Sequence, residues 1–159
     1  MGNSIVKKLV LILALALSVS SFMCACGGNG KDSSSTEPEE PVQEITLEQY
    51  FEEHPDELQG LKDDIQNDNE MRESLKHMDF DIYAKENTFC FEYKFKDTFT
   101  GDVSDKLKKT LKGSLRKMKK EQTARIAPLE KAYGIDGIVI HTSYLNGDGT
   151  VLAERNYSK

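Results

Sequence analysis

The chain contains 159 residues and carries a formal net charge of −6. An acidic balance argues against a general nucleic-acid binder, whose footprint is basic, so we expect no nucleic-acid partner. Hydrophobic residues make up 38% of the chain and aromatic residues 8%. This composition supports one modest hydrophobic core and predicts a single folded domain.

The first 26 residues have the pattern of a lipoprotein export signal. Lys7 and Lys8 form a positive segment, Leu9–Leu17 is apolar throughout, and a cysteine-containing segment closes the pattern at Cys26. The apolar run is shorter than the roughly 20 residues that cross a bilayer, which argues against a transmembrane anchor. A buried helix is disfavoured because glycines and serines follow at once. A plain secretory signal remains an alternative.

Cys26 is the residue that we expect to carry the lipid. The small residue Ala25 precedes it, whereas the bulky Met23 precedes Cys24. This assignment predicts a protein held at the extracytoplasmic face of the cell membrane by a lipid anchor with an acyl group such as palmitate. Residues 27–44 are rich in Gly, Ser, Pro and Glu and predict a disordered tether. The folded domain is expected to span residues 45–159.

Short helices are predicted at the start of this domain. Thr46 and Gln49 match a capping box, in which the two side chains satisfy backbone N–H groups reciprocally. Pro55 suits the first turn of a helix, so we predict one helix ending near Glu53 and a second beginning near Pro55. The spacing of apolar residues over 71–78 indicates a third short helix.

Two β-hairpins are predicted in the remainder. Apolar and polar residues alternate over 78–83 and 89–95, on either side of a turn at 85–87. The second hairpin is indicated by Asn-Gly-Asp-Gly at 146–149, which lies between two segments rich in β-branched and aromatic residues.

A long helix is predicted between the hairpins. Apolar residues recur at helical spacing from Leu107 to Tyr133, and the helix is expected to begin near Ser104 and to end at Gly134. Pro128 should kink or interrupt it. The predicted fold class is therefore α+β, with a four-stranded antiparallel sheet and the long helix on one face.

Four motifs follow one another in a recognisable order. They are Leu47-Glu48-Gln49-Tyr50, the segment from Asn87-Thr88-Phe89 to Tyr93-Lys94-Phe95-Lys96, Tyr133-Gly134-Ile135-Asp136, and Tyr144-Leu145-Asn146-Gly147-Asp148-Gly149-Thr150. In this order they resemble the DUF4854 family, whose members are small uncharacterised lipoproteins. The resemblance covers about residues 46–157 and implies no activity, catalytic residue or cofactor.

The residues that could take part in catalysis or metal binding do not form a catalytic or metal-ligand pattern. His54, His77 and His141 are too scattered for a metal-ligand spacing. The segment at 146–149 resembles part of a calcium loop but lacks the first and last acidic ligands, which favours a hairpin turn. Cys90 has no local signature of a nucleophile and is interpreted as a small semi-buried residue. We therefore expect no metal, no cofactor and no catalysis, with an enzyme of unknown class as an alternative.

The charges are segregated along the chain. Residues 37–70 contain thirteen acids and one basic residue, whereas residues 106–120 contain eight basic residues and no acid. A basic amphipathic helix could contact anionic lipid or wall polymer through Lys108, Lys112, Arg116 and Lys119. The alternative is a solvated face balanced by the acidic N-terminal helices. The expected function is a non-catalytic binding or interaction module, with anionic-surface contact as a second hypothesis.

Overall fold

The computed structural model describes residues 45–159, and the predicted signal, Cys26 and the tether lie outside this range. Five helices and four strands follow in the order helices, hairpin, helices, hairpin. They are α1 (Leu47–Glu53), α2 (Pro55–Asn67), α3 (Asn69–Leu75), β1 (Met78–Lys85), β2 (Thr88–Phe95), α4 (Gly101–Lys117), α5 (Lys119–Tyr133), β3 (Val139–Leu145) and β4 (Val151–Tyr157). The predicted α+β class is confirmed.

The predicted capping box opens helix α1. The backbone N–H of Gln49 donates to Oγ1 of Thr46 at 3.2 Å, and the N–H of Thr46 donates to Oε1 of Gln49 at 2.9 Å. Leu47 and Phe51 then enter the core. Pro55 is the first residue of α2, as predicted, because a first-turn residue needs no N–H partner within the helix.

The sheet has the strand order β1-β2-β3-β4, but it is mixed and not antiparallel as predicted. Each hairpin pairs antiparallel, while the central strands β2 and β3 pair parallel, with Phe91 opposite Thr142. The physical reason is the connection between them. Helices α4 and α5 form a crossover that returns the chain to the end of the sheet where β2 began, and a crossover of this kind makes parallel neighbours.

The predicted long helix is two helices, and it breaks at Met118 and not at Pro128. The hydroxyl of Tyr157 donates to the carbonyl of Leu115 at 2.8 Å. That carbonyl would accept from residue 119 in a continuous helix, and a side chain bonded there favours a break. Pro128 lies inside α5, where it and Ala124 are both exposed. The Ala124 carbonyl that Pro128 leaves without a helical partner can therefore bond to water.

The helices cover one face of the sheet in two groups. Helices α1 to α3 pack against β1, whereas α4 packs against β4 and α5 against β3 and β4. The single long helix on one face is thus replaced by two groups over opposite edges. The core between helices and sheet includes Leu47, Ile82, Phe95, Leu111 and Ile140, each at most 2% exposed. None of the helices within residues 45–159 is long and apolar enough to cross a membrane.

Candidate binding surface on helix α4

The apolar stripe of the predicted amphipathic helix is buried. Leu107, Leu111, Leu115 and Met118 are 3%, 0%, 1% and 8% exposed. Because this stripe packs against the sheet, the orientation of α4 is fixed. Its charged side chains must therefore project away from the core, and the helix cannot insert its apolar side into a membrane while the domain is folded.

The basic residues proposed from sequence differ in their exposure. Lys112, Arg116 and Lys119 are exposed, the last of them on α5 just beyond the break. Lys108 is half-buried, and its Nζ lies 3.9 Å from Oδ1 of Asp105. The exposed residue Lys109 occupies the outer face instead. Helical spacing contains this signal, since Lys109, Lys112 and Arg116 lie three and four residues apart on the side opposite Leu111.

We name Lys109, Lys112 and Arg116 the basic stripe. Within the described part of the chain, none of the three forms an ion pair, and Lys108–Asp105 is the one pair formed by the eight basic residues of 106–120. The acidic helices α1 and α2 lie over the β1 edge, whereas α4 lies over the β4 edge. Direct ion pairing with the acidic helices is therefore absent among the described side chains, because the two groups lie over opposite edges of the sheet.

The open face of the sheet brings together two residues that sequence reasoning left apart. Parallel pairing of β2 with β3 places Cys90 opposite His141, and antiparallel pairing places Asn156 on the other side of His141. A cysteine, a histidine and an asparagine are the components of some nucleophilic sites. No local sequence signal announced this row, because it depends on the pairing of strands joined by the crossover.

The geometry of this row is unsuited to nucleophilic catalysis. Nδ1 of His141 lies 2.5 Å from Oδ1 of Asn156, and its Nε2 lies 3.8 Å from Oε2 of Glu154, so both ring nitrogens face partners on β4. Burial raises the pKa of the Cys90 thiol, while a hydrogen bond with Tyr83 opposes the shift. A reactive thiolate needs a lowered pKa and a base within reach. Cys90 is 6% exposed, so it is more deeply buried than the predicted semi-buried role.

The remaining candidates have structural partners. His54 stacks on Tyr50 with ring centroids 4.4 Å apart, while His77 lies in the turn before β1. At 146–149, Oδ1 of Asp148 accepts from the backbone N–H and hydroxyl of Thr150, at 2.9 and 2.7 Å, which lowers the pKa of the Asp148 carboxyl. Among the side chains that the structure describes, no group of three His, Cys, Asp or Glu could hold a metal ion.

Comparison with known proteins agrees with the resemblance seen in the motifs. A family model described as a domain of unknown function, DUF4854, matches residues 46–157. No curated protein and no solved structure matches the chain. The matched range includes all nine helices and strands of the described domain. The chain belongs to the DUF4854 family.

Proposed function

We propose that this protein is a non-catalytic binding module, anchored by lipid at Cys26 on the extracytoplasmic face of the membrane. Its binding surface is the exposed basic side of α4 with the start of α5, and its ligand is a phosphate-bearing anionic surface. Either lipid headgroups or an anionic wall polymer could present those phosphates.

The observation that carries this proposal is the set of uncompensated cations. Lys109, Lys112 and Arg116 are exposed and form no ion pair with the side chains that the structure describes. The exposed residues Lys119 and Lys120 continue the charge beyond the break. Because the chain as a whole is acidic, an uncompensated basic surface is a local departure from its composition. Such a surface attracts anions, with about 1 kcal/mol per basic residue near an anionic membrane.

Burial of the apolar stripe determines the kind of contact. Leu111 and Leu115 are at most 1% exposed, so α4 binds by charge and not by insertion. The lipid at Cys26 would hold the domain close to the membrane, and a basic surface would add an electrostatic contact to it. The lipid at Cys26 and the basic side of α4 would therefore act together.

The test compares two variants that change the net charge equally. Lys109→Gln, Lys112→Gln and Arg116→Gln remove the basic stripe, whereas Lys85→Gln, Lys94→Gln and Lys131→Gln remove three cations elsewhere. We would measure binding of the full-length chain, held in non-ionic detergent, to polyphosphate and to mixed micelles with and without phosphatidylglycerol. Measurements at about 0.05 M and about 0.5 M salt test the electrostatic origin, because salt screens exposed charges.

We expect wild type and the control variant to bind an anionic probe at low salt, and the stripe variant to lose at least about tenfold in affinity. Preference for phosphatidylglycerol micelles would identify a lipid ligand, and preference for polyphosphate would identify a polymer. Equal affinity of the two variants would show that general charge, and not this surface, is responsible. Absence of binding by wild type would overturn the proposal.

A further inference from the structure

Helix α2 carries an acidic counterpart to the basic stripe. Asp56 and Asp63 are exposed on the side of α2 opposite Leu61 and Ile65, which pack toward the core. The exposed residue Asp64 lies on the flank of the same helix. Within the described residues none of these three carboxylates forms an ion pair. We name them the acidic stripe.

The two stripes have matching lengths. Asp56 and Asp63 are seven residues apart, as are Lys109 and Arg116. With a helical rise of 1.5 Å per residue, each pair spans about 10.5 Å along its helix. Both stripes lie on exposed helix faces, so two helices placed side by side can bring opposite charges together at both ends of the contact.

One molecule cannot join its own stripes. Helix α2 lies over β1 and α4 over β4, at opposite edges of the sheet, and both stripes point away from the core. A second copy of the chain can present its acidic stripe to the basic stripe of the first. Both molecules then still have one stripe free, which is the condition for a head-to-tail contact that repeats.

We propose that the protein associates head to tail, with α4 of one copy against α2 of the next. Complementary potentials orient the copies, and like-charged faces prevent pairing of α4 with α4 or of α2 with α2. The contact consists of exposed ion pairs, so it is weak in solution and sensitive to salt. It uses the basic stripe of the proposed function but adds a protein partner, and a polyanion should compete with it.

Sedimentation velocity of the full-length chain in non-ionic detergent tests this association. In one variant, Lys109→Glu, Lys112→Glu and Arg116→Glu reverse the basic stripe. In the other, Asp56→Lys, Asp63→Lys and Asp64→Lys reverse the acidic stripe. We expect wild type to form concentration-dependent oligomers at about 0.05 M salt that dissociate at about 0.5 M salt. Either variant alone should sediment as a monomer, and an equal mixture of the two should associate again.

Folding is controlled separately, because a lysine at Asp56 opposes the helix dipole in the first turn of α2. Asp56→Asn, Asp63→Asn and Asp64→Asn remove the charge without reversing it and should also prevent association. Circular dichroism would establish that each variant is folded. A wild-type monomer at low salt, or a mixture of folded reversed variants that stays monomeric, would overturn the proposal.

Self-association and the proposed binding of a polyanion can be tested separately. The acidic-stripe variants should keep or increase their affinity for polyphosphate, since their basic stripe is intact and uncovered. Polyphosphate should dissociate wild-type oligomers. A wild type that binds polyphosphate but remains monomeric would retain the proposed function and reject the self-association.

Discussion

In each of the two hairpin turns of the sheet, an asparagine side chain forms hydrogen bonds with the backbone of distant segments. We call these side-chain hydrogen bonds a tie. The tie in the β3–β4 turn is buried, whereas the tie in the β1–β2 turn is half-exposed. In the β3–β4 turn, Oδ1 of Asn146 accepts from the N–H of Phe99 at 2.8 Å, and its Nδ2 donates to the Phe99 carbonyl at 2.9 Å. In the β1–β2 turn, Oδ1 of Asn87 accepts from the N–H of Leu47 at 3.1 Å, and its Nδ2 donates to the Asp136 carbonyl at 3.3 Å.

These two side chains hold the two ends of the helical crossover. Phe99 lies just before α4, and Asp136 lies just after α5. Asn146 is 3% exposed, whereas Asn87 is half-buried. Because a polar group left unpaired costs more where water cannot replace the lost partner, the entry to the crossover should depend more on its asparagine than the exit does.

Loss of the buried tie should have the largest effect. Asn146→Ala leaves the N–H and carbonyl of Phe99 without their side-chain partner, and we expect a loss of about 2 to 4 kcal/mol in the free energy of unfolding. Urea denaturation of the full-length chain measures it. Asn156→Ala in the exposed part of β4 is the matched control and should cost less than about 1 kcal/mol. A similar small cost at Asn146 would contradict the buried tie.

The second-largest loss of stability is expected where the β3–β4 turn approaches the loop before α4. A Cβ on Gly147 would lie 2.7 Å from the carbonyl carbon of Asp97, whose oxygen accepts from the Gly147 N–H at 3.2 Å. Gly147→Ala should therefore destabilise by about 1 to 3 kcal/mol, because backbone must move.

A control substitution at a second glycine is expected to change the stability in the opposite direction. Gly113 lies inside α4, and nothing stands within 4 Å of a Cβ there. Gly113→Ala should stabilise by about 0.5 to 1 kcal/mol through its helix propensity. Thermal unfolding of both variants distinguishes a specific contact from general sensitivity to added methyl groups. Stabilisation by Gly147→Ala would show that the turn is not held against Asp97.

The half-exposed tie should have a smaller effect than the buried one. We expect Asn87→Ala to cost about 1 to 2 kcal/mol in unfolding free energy, since water can reach part of the turn and replace lost hydrogen bonds. Urea denaturation beside Asn146→Ala gives the comparison directly. A larger loss of unfolding free energy for Asn87→Ala than for Asn146→Ala would show that the exit of the crossover, and not its entry, depends more on its asparagine.

Low pH should reduce the stability of the folded protein by a smaller amount, through Glu130 near the end of α5. A hydrogen bond from Lys159 is the main cause that lowers the pKa of the Glu130 carboxyl, and Oε1 of Glu130 also accepts from the N–H of Gly137 at 3.0 Å. Since the pKa is lower in the folded protein, this contribution is present above the ordinary carboxyl pKa of about 4.3 and is lost as the pH falls through the folded value.

Glu130→Gln tests that dependence. We expect the variant to be less stable than wild type at neutral pH. The difference should narrow as the pH falls below about 4.3 and disappear below the lowered pKa of the folded protein, where the Glu130 carboxyl is neutral. Thermal unfolding across this range is the measurement. Glu52→Gln, at an exposed position of α1, is the control. A difference that does not change with pH would show that ionisation of Glu130 is not involved.

Local chemistry made most of the secondary structure predictable. The Thr46 capping box marks the beginning of α1, and Pro55 marks the beginning of α2. Alternation of apolar residues indicates β1 and β2. Gly134 ends α5 with φ of 67°, and the backbone N–H of Ile135 donates to the carbonyl of Glu130 at 3.2 Å. All of these features are determined within a few residues, so they can be recognised in the sequence.

The sequence by itself thus determined the helices, the hairpins and the basic charge of α4, whereas contacts between distant segments decided the arrangement. Parallel pairing of β2 with β3 depends on the path of the crossover, which periodicity does not describe. The break at Met118 accompanies the bond from Tyr157 to Leu115, 42 positions apart in the chain. The separation of the basic and acidic stripes also follows from which strand each helix covers, because only tertiary packing places α2 over β1 and α4 over β4.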